Sequence, residues 1–321
     1  MKFAELKGSL NQKLHNAYYI FGKDNYLMDS AMNMITKRCV KNFPDFNINS
    51  FNDENFDIEK VLTCCHSIPM CDEMKVVSVI NAQPDKQAIV KLEKYLKSVN
   101  QSTCLIIKDN VNFNGYKAIS NLCQNVDCDF LDIKMIRPLV LNMFKKSSVQ
   151  IEENALTKLI EYCNFDMSFI VKEVKKLVSL CKSGQIVTTD IVDEMVHKNL
   201  EYSVFELSSA VCEKNKRKAI ELLEIMLDKK ESPQILLMLL ISNFRRMFYT
   251  SVTSGTDKEI ANLLDVKEYS IKMSRKLMQN FTPKQLKKVL DLGGKVDFDV
   301  KNGKIDEINA IYFFVSNIIL M

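Results

Sequence analysis

A chain of 321 residues and 37.0 kDa exceeds what one ordinary hydrophobic core organises, so two or three domains are expected. Its 47% hydrophobic and 26% charged residues make it globular rather than disordered, and the +4 left by 44 Lys+Arg against 40 Asp+Glu names no partner by itself. The excess lies wholly in the last third: residues 1–205 carry 25 basic and 25 acidic groups, residues 206–321 carry 19 and 15.

The opening residues Met1-Lys2-Phe3-Ala4-Glu5-Leu6-Lys7 hold no apolar signal core. Residues 17–22 form a short aromatic-rich run ended by Gly22, the pattern of a buried strand, and Asp24 is placed to cap a helix whose Leu27, Ala31, Met34 and Ile35 share one face. Residues 46–51 alternate with period two, as an outer, half-exposed strand does. Residues 75–80 and 103–107 are two further apolar strands with a helix over 85–99 between them, and 128–133 is expected as the last strand. Such alternation predicts a mainly parallel sheet with helices on both faces.

Past Pro138 the pattern becomes helical, with no strand expected. One helix begins at Ile151, a second follows Asp166 until Gly184 stops it, and Thr188-Thr189-Asp190 starts a third. Longer helices follow over 216–227, 233–251, 268–280, 283–296 and 306–319, with Pro233 and Pro283 where a first helical turn tolerates proline. Low Gly (8) and Pro (6) usage agrees with long helices and short connections. The architecture is therefore α/β plus all-α: a parallel-sheet domain over 1–137, a small three-helix domain over 138–204 and a larger helical domain over 205–321.

The longest apolar run, 235–241, is far shorter than a membrane span, so no membrane partner is expected. Ten cysteines without a signal segment fit reduced thiols and a cytoplasmic location. Cys64-Cys65-His66 with Cys71 is the one cluster resembling a metal site. Adjacent cysteines on a helix diverge, and no CxxC supplies the other half of a tetrahedron, so no metal is expected.

Strand, glycine and helix at the amino end invite a phosphate-loop reading. That loop needs a first glycine, a lysine and a hydroxyl; here the first position is Ala17, and Asp24 stands where the hydroxyl should be, a carboxylate that repels phosphate. The strand at 105–107 is followed by Lys108-Asp109 rather than paired acids for magnesium. No GxSxG, HExxH or CxxC occurs, and three histidines leave little for imidazole chemistry. Neither a catalytic site nor a cofactor is expected.

Several segments in order resemble the delta subunits of the bacterial DNA polymerase III clamp loader. Tyr19-Ile20-Phe21-Gly22-Lys23-Asp24-Asn25-Tyr26-Leu27 is similar to that family's opening strand, glycine and acidic turn. Ser67-Ile68-Pro69-Met70-Cys71-Asp72-Glu73-Met74-Lys75-Val76-Val77 is similar to its Ser-Leu-Pro-Leu-Phe segment before a basic residue and a strand. Residues 166–177 with Ile186-Val187-Thr188, Tyr202-Ser203-Val204-Phe205-Glu206-Leu207 and the Lys301-Asn302-Gly303 of residues 292–305 resemble its lid helices, its junction to the last domain and a late helix connection.

The resemblance implies an AAA+ (RecA-like) first domain that binds no ATP, a lid domain and a helical collar that joins related subunits. Such a protein works as a wrench on the ring-shaped sliding clamp, the beta subunit, within a heteropentamer with tau/gamma and delta-prime subunits. Its wedge maps onto Met70 and Cys71, with Ile68 as accessory; Cys71 departs from the large aromatic usual there. In such an assembly the collar encloses primed DNA, which makes Arg245, Arg246, Lys284, Lys287 and Lys288 candidate phosphate contacts. An ATP-binding enzyme and a DNA-binding replication or repair adaptor stand as alternatives.

Overall fold

The computed structural model describes residues 1–110, 113–181 and 184–321. Contacts divide the chain into two units, residues 1–131 with 166–168, and residues 132–165 with 169–321.

The first unit runs α1 (Phe3–Gln12), β1 (Ala17–Phe21), α2 (Asn25–Cys39), α3 (Pro44–Asn47), β2 (Ile48–Asn52), α4 (Ile58–His66), β3 (Lys75–Ile80), α5 (Lys86–Leu96), β4 (Thr103–Asp109), α6 (Asn114–Lys117) and β5 (Gln124–Asp127). Its five strands form one parallel sheet in the order β2-β3-β4-β1-β5. The central strands β3 and β4 are buried nearly throughout, which explains their largely apolar sequences. Tyr19, Val77, Val79, Leu105 and Ile107 point to the face covered by α4 and α5, where Val61, Cys65, Leu92 and Tyr95 meet them. Leu27, Met28, Ala31 and Ile35 of α2 are fully buried against the opposite face.

Two strand assignments shift. Residues 46 and 47 close the single helical turn α3 started by Pro44, so the edge strand begins at Ile48. The last strand is Gln124–Asp127 rather than 128–133: Cys128 still donates to the Phe21 carbonyl (2.8 Å), but Asp132 then caps a new helix through the Met135 amide (2.9 Å).

The second unit runs α7 (Ile133–Lys146), β6 (Gln150–Ile151), α8 (Glu153–Tyr162), α9 (Met167–Leu180), β7 (Ile186–Val187), α10 (Thr189–Met195), α11 (Leu200–Cys212), α12 (Lys216–Asp228), α13 (Pro233–Val252), α14 (Asp257–Leu264), α15 (Glu268–Leu277), α16 (Pro283–Lys301) and α17 (Glu307–Leu320). Contrary to the expectation of no strand here, β6 and β7 pair in parallel over two residues each, too short for any periodicity to register in the sequence. Pro138 lies inside α7, so the helix runs through the position where the sequence changes character.

The last helices surround α13, whose Leu236, Leu237, Leu240, Phe244 and Met247 are buried among Phe281, Val289, Phe314 and Ile318. Helix α13 is long and apolar enough to cross a membrane by length and composition, yet it packs against α11, α15, α16 and α17 and carries Arg245 and Arg246 midway, as the central helix of a bundle does. At Gly293 of α16 an added Cβ would stand 3.0 Å from Ile241 Cγ1, so the missing side chain lets α16 lie close on α13.

Candidate functional site

Ligands of open α/β sheets sit beyond the carboxyl ends of the strands, where strand order reverses. In this sheet that crevice lies beyond β1 and β4, and the chain fills it with its own groups. The Asp24 carboxylate caps α2 by accepting the Leu27 N–H (3.1 Å), and the Asp24 N–H donates to the Cys128 carbonyl (3.1 Å). The Lys23 N–H donates to the Asp129 carboxylate (3.2 Å). Gly22, at φ +139°, passes so close to Cys128 that a Cβ would lie 2.3 Å from its carbonyl carbon. Opposite, Asp109 accepts from the Tyr19 hydroxyl (2.9 Å) and the Phe113 N–H (2.8 Å), while buried Lys108 pairs with Asp29. Burial and the Asp109 carboxylate push the Tyr19 phenol well above its usual range. Three amides around the start of α2, those of Lys23, Asp24 and Leu27, thus have acceptors within the chain.

The segment between α4 and β3 is organised the other way. Here the backbone is tied down and the apolar side chains point out. Asn47, fully buried, donates to the Met70 carbonyl (2.9 Å) and accepts the Met70 N–H (2.7 Å), a two-point grip on the loop. Asp72 accepts the Lys41 N–H (2.8 Å), the Asn42 N–H (2.7 Å) and the Glu73 N–H (2.9 Å), and these three donors hold its carboxyl below the ordinary carboxylate range. The Lys75 ammonium, buried at the start of β3, donates to Ser67 Oγ and braces the loop's entry.

On this mount Ile68 is 86% exposed, Met70 53% exposed, and Cys71 is exposed with its backbone in the left-handed region at φ +53°. None of the three is core, and the fold brings them together on one anchored loop. An apolar group held in water by well-satisfied backbone points to a partner surface.

The cysteine cluster does not converge: Cys65 is in the core, where burial pushes its thiol up to about 12, His66 sits edge-on to the Tyr95 ring, and Cys71 faces solvent. Among the described residues no group of three or more His, Cys, Asp or Glu side chains is arranged to hold a metal ion.

The five basic candidates of the last third separate. Lys284, Lys287 and Lys288 are exposed and share one face of α16, and Arg245 is exposed on α13. Arg246 instead turns into a pocket lined by Asn164, Glu201, Tyr269 and Ser274, where it donates to Asn243, and burial pulls its guanidinium below the usual value. Sequence reasoning missed Phe43 and Phe46, which are 55% and 61% exposed on the turn between α2 and β2.

Comparison with known proteins shows the family and the fold. A family model described as "DNA polymerase III, delta subunit" matches residues 18–154, and one described as "DNA polymerase III delta subunit, C-terminal domain" matches residues 201–318. The chain is 23% identical to the DNA polymerase III subunit delta of Bacillus subtilis, covering 98% of this chain and 96% of that one. It is 21% identical to a probable DNA polymerase III subunit delta of Aquifex aeolicus, covering 92% and 86%. The solved structure of a Bacillus subtilis DNA clamp loader delta protein superposes with a TM-score of 0.75 at 21% identity, over 99% of this chain and 100% of that one, which shows a shared fold.

Proposed function

The chain belongs to the DNA polymerase III delta subunit family and is a clamp-loader delta subunit, and from that premise we propose that it grips the ring-shaped sliding clamp through loop 67–74. Met70, with Ile68 beside it and Cys71 behind it, enters an apolar pocket on the ring and helps hold one ring interface open for loading onto primed DNA. The observation that carries this reading is the contrast within the loop: Asn47 and Asp72 tether it through backbone N–H and carbonyl groups, and the apolar side chains are left exposed.

Magnitudes favour Met70 as the principal anchor. Full burial of a Met side chain is worth about 1.5–3 kcal/mol, and its flexible thioether adapts to an irregular pocket, whereas Cys offers less area. The chain's own ATP chemistry is not part of this function, because its strand-end crevice is occupied by Asp24, Asp109 and their partners. Hydrolysis falls to sister subunits of the tau/gamma kind, which with a delta-prime subunit complete a heteropentamer through the helical collar over 205–321. Within that collar Arg245, Lys284, Lys287 and Lys288 are placed to approach DNA phosphates; Arg246, held in its pocket, is the least accessible of the five. This work belongs in the cytoplasm.

The test is binding of the purified chain to the sliding clamp of the same organism. Wild type is expected to bind, and Met70→Ala/Cys71→Ala to lose at least about tenfold in affinity with an unchanged melting temperature. Equal binding by both proteins would move the contact elsewhere, and salt-sensitive DNA binding by a chain that ignores the clamp would favour the adaptor reading.

A further inference from the structure

A second exposed apolar feature lies against the wedge loop. The turn from α2 to β2 reads Lys41-Asn42-Phe43-Pro44-Asp45-Phe46-Asn47, and both of its phenylalanines project into solvent, 55% and 61% exposed. The turn is hydrogen-bonded to the wedge loop from both of its ends. On one side Asp72 accepts the amides of Lys41 and Asn42; on the other Asn47 grips the Met70 backbone. Asn47 Nδ2 also donates to the Asn42 carbonyl (3.2 Å), which closes the turn on itself. Phe43 and Phe46 are therefore fixed one residue from the atoms that hold Met70 and Cys71 in place.

The backbone at Phe43 adds a second, independent sign. It stands at φ +47°, ψ +57°, a left-handed conformation that costs a side-chain-bearing residue about 1–2 kcal/mol and that Asn or Gly adopts more easily. Core packing does not repay that cost, since the ring is more than half exposed. Cys71, across the tether, is left-handed and exposed as well. Two neighbouring turns each hold an apolar side chain outward on backbone that a polar residue would relax.

We propose that Phe43 and Phe46 form one continuous clamp-binding surface with Ile68, Met70 and Cys71, and that the two rings supply its aromatic anchor. The proposal rests on the reading that loop 67–74 meets the sliding clamp. The occupant is the same clamp because the turn that carries both rings is tied through Asp72 and Asn47 to the loop that carries Met70 and continues its exposed apolar surface. Aromatic rings bury about 150–250 Å² each and dominate interface energetics, so a pair of them beside the small Cys71 restores a broad apolar footprint.

The experiment uses the full chain and the sliding clamp of the same organism as the probe, with affinity, melting temperature and the chain's own oligomeric state recorded for each variant. Phe43→Asn/Phe46→Ser is expected to lower clamp affinity about fivefold or more while the melting temperature holds or rises, because Asn tolerates the left-handed backbone. Phe46→Ser alone, at a position free of backbone strain, is expected to lose about threefold and guards against a folding artefact in the double variant. If Met70→Ala/Cys71→Ala loses binding and Phe43→Asn/Phe46→Ser binds like wild type, the inference is overturned and the wedge reading stands. If both double variants bind like wild type, or wild type does not bind at all, both are overturned. Substitution that leaves clamp affinity intact and only dissolves a self-associated form would assign the rings to a second copy of this chain instead.

Discussion

The two ends of this sheet's chemistry are built in opposite ways. Beyond β1 and β4, where a nucleotide would sit in a working ATPase, polar groups of the chain pair with one another: the Asp24 carboxylate with the Leu27 N–H, the Lys23 N–H with Asp129, Asp109 with Tyr19 and Phe113, Lys108 with Asp29. Beside the edge strand β2, backbone amides and carbonyls are satisfied with equal care, but the side chains they carry are apolar and face water. Polar groups already paired within the chain offer less to a ligand, whereas a satisfied backbone under exposed apolar groups is preorganised for one. The contrast supports the proposal that the tip of the first unit, rather than its crevice, meets the partner.

Breaking the mount beneath the tip should have the largest effect. Asn47→Ala leaves the Met70 N–H and carbonyl without their buried partner, which should cost about 1–3 kcal/mol of stability in urea unfolding and weaken clamp binding more than its own stability loss explains. On the crevice side, Asp29→Asn leaves the buried Lys108 ammonium without a countercharge. Because the Asp29 side chain is 54% exposed, the expected loss is about 1 kcal/mol, read by the same unfolding curve, with clamp affinity unchanged.

The pH dependence sharpens the comparison further. The Asp72 carboxyl titrates below its ordinary value in the folded chain, so its tether is present above the ordinary carboxylate pKa and is lost as pH falls through the lowered one. Clamp affinity should therefore be flat from neutral pH down to about 5 and decline only below about 4, and Asp72→Asn should flatten that decline. The smallest effect is expected in the crevice: calorimetric titration with ATP should show no saturable heat, and Asp24→Thr, which keeps a cap on α2 but removes the carboxylate, should not create any. Saturable ATP binding by either protein would contradict the account of the crevice.

How much of this was legible in the sequence follows from what each segment must satisfy. Strands β3 and β4 are buried on both faces, so their composition alone marked them, whereas β5 was displaced because Phe130, Leu131 and Ile133 continue an apolar pattern that turn and cap chemistry interrupt. Helices α1, α11 and α14 were not among those expected, although Asn199 caps α11 through the Glu201 N–H and Thr256 and Glu259 form a capping box at α14. At the site, Pro69 and Asp72-Glu73 bracket the apolar pair with loop-forming residues, and that made Met70 and Cys71 visible. Phe46 alternates with Ile48 and Ser50 like an edge strand, and the left-handed backbone of Phe43 leaves no trace in residue type, so the second turn emerged only from the fold.

On this reading the clamp meets the tip of the first unit. Amide hydrogen exchange of the full chain, alone and saturated with the sliding clamp, tests it most directly. Added protection is expected to concentrate in residues 41–47 and 67–74. Protection confined instead to residues 22–29 and 108–110, or to α16, with the tip unchanged, would contradict it.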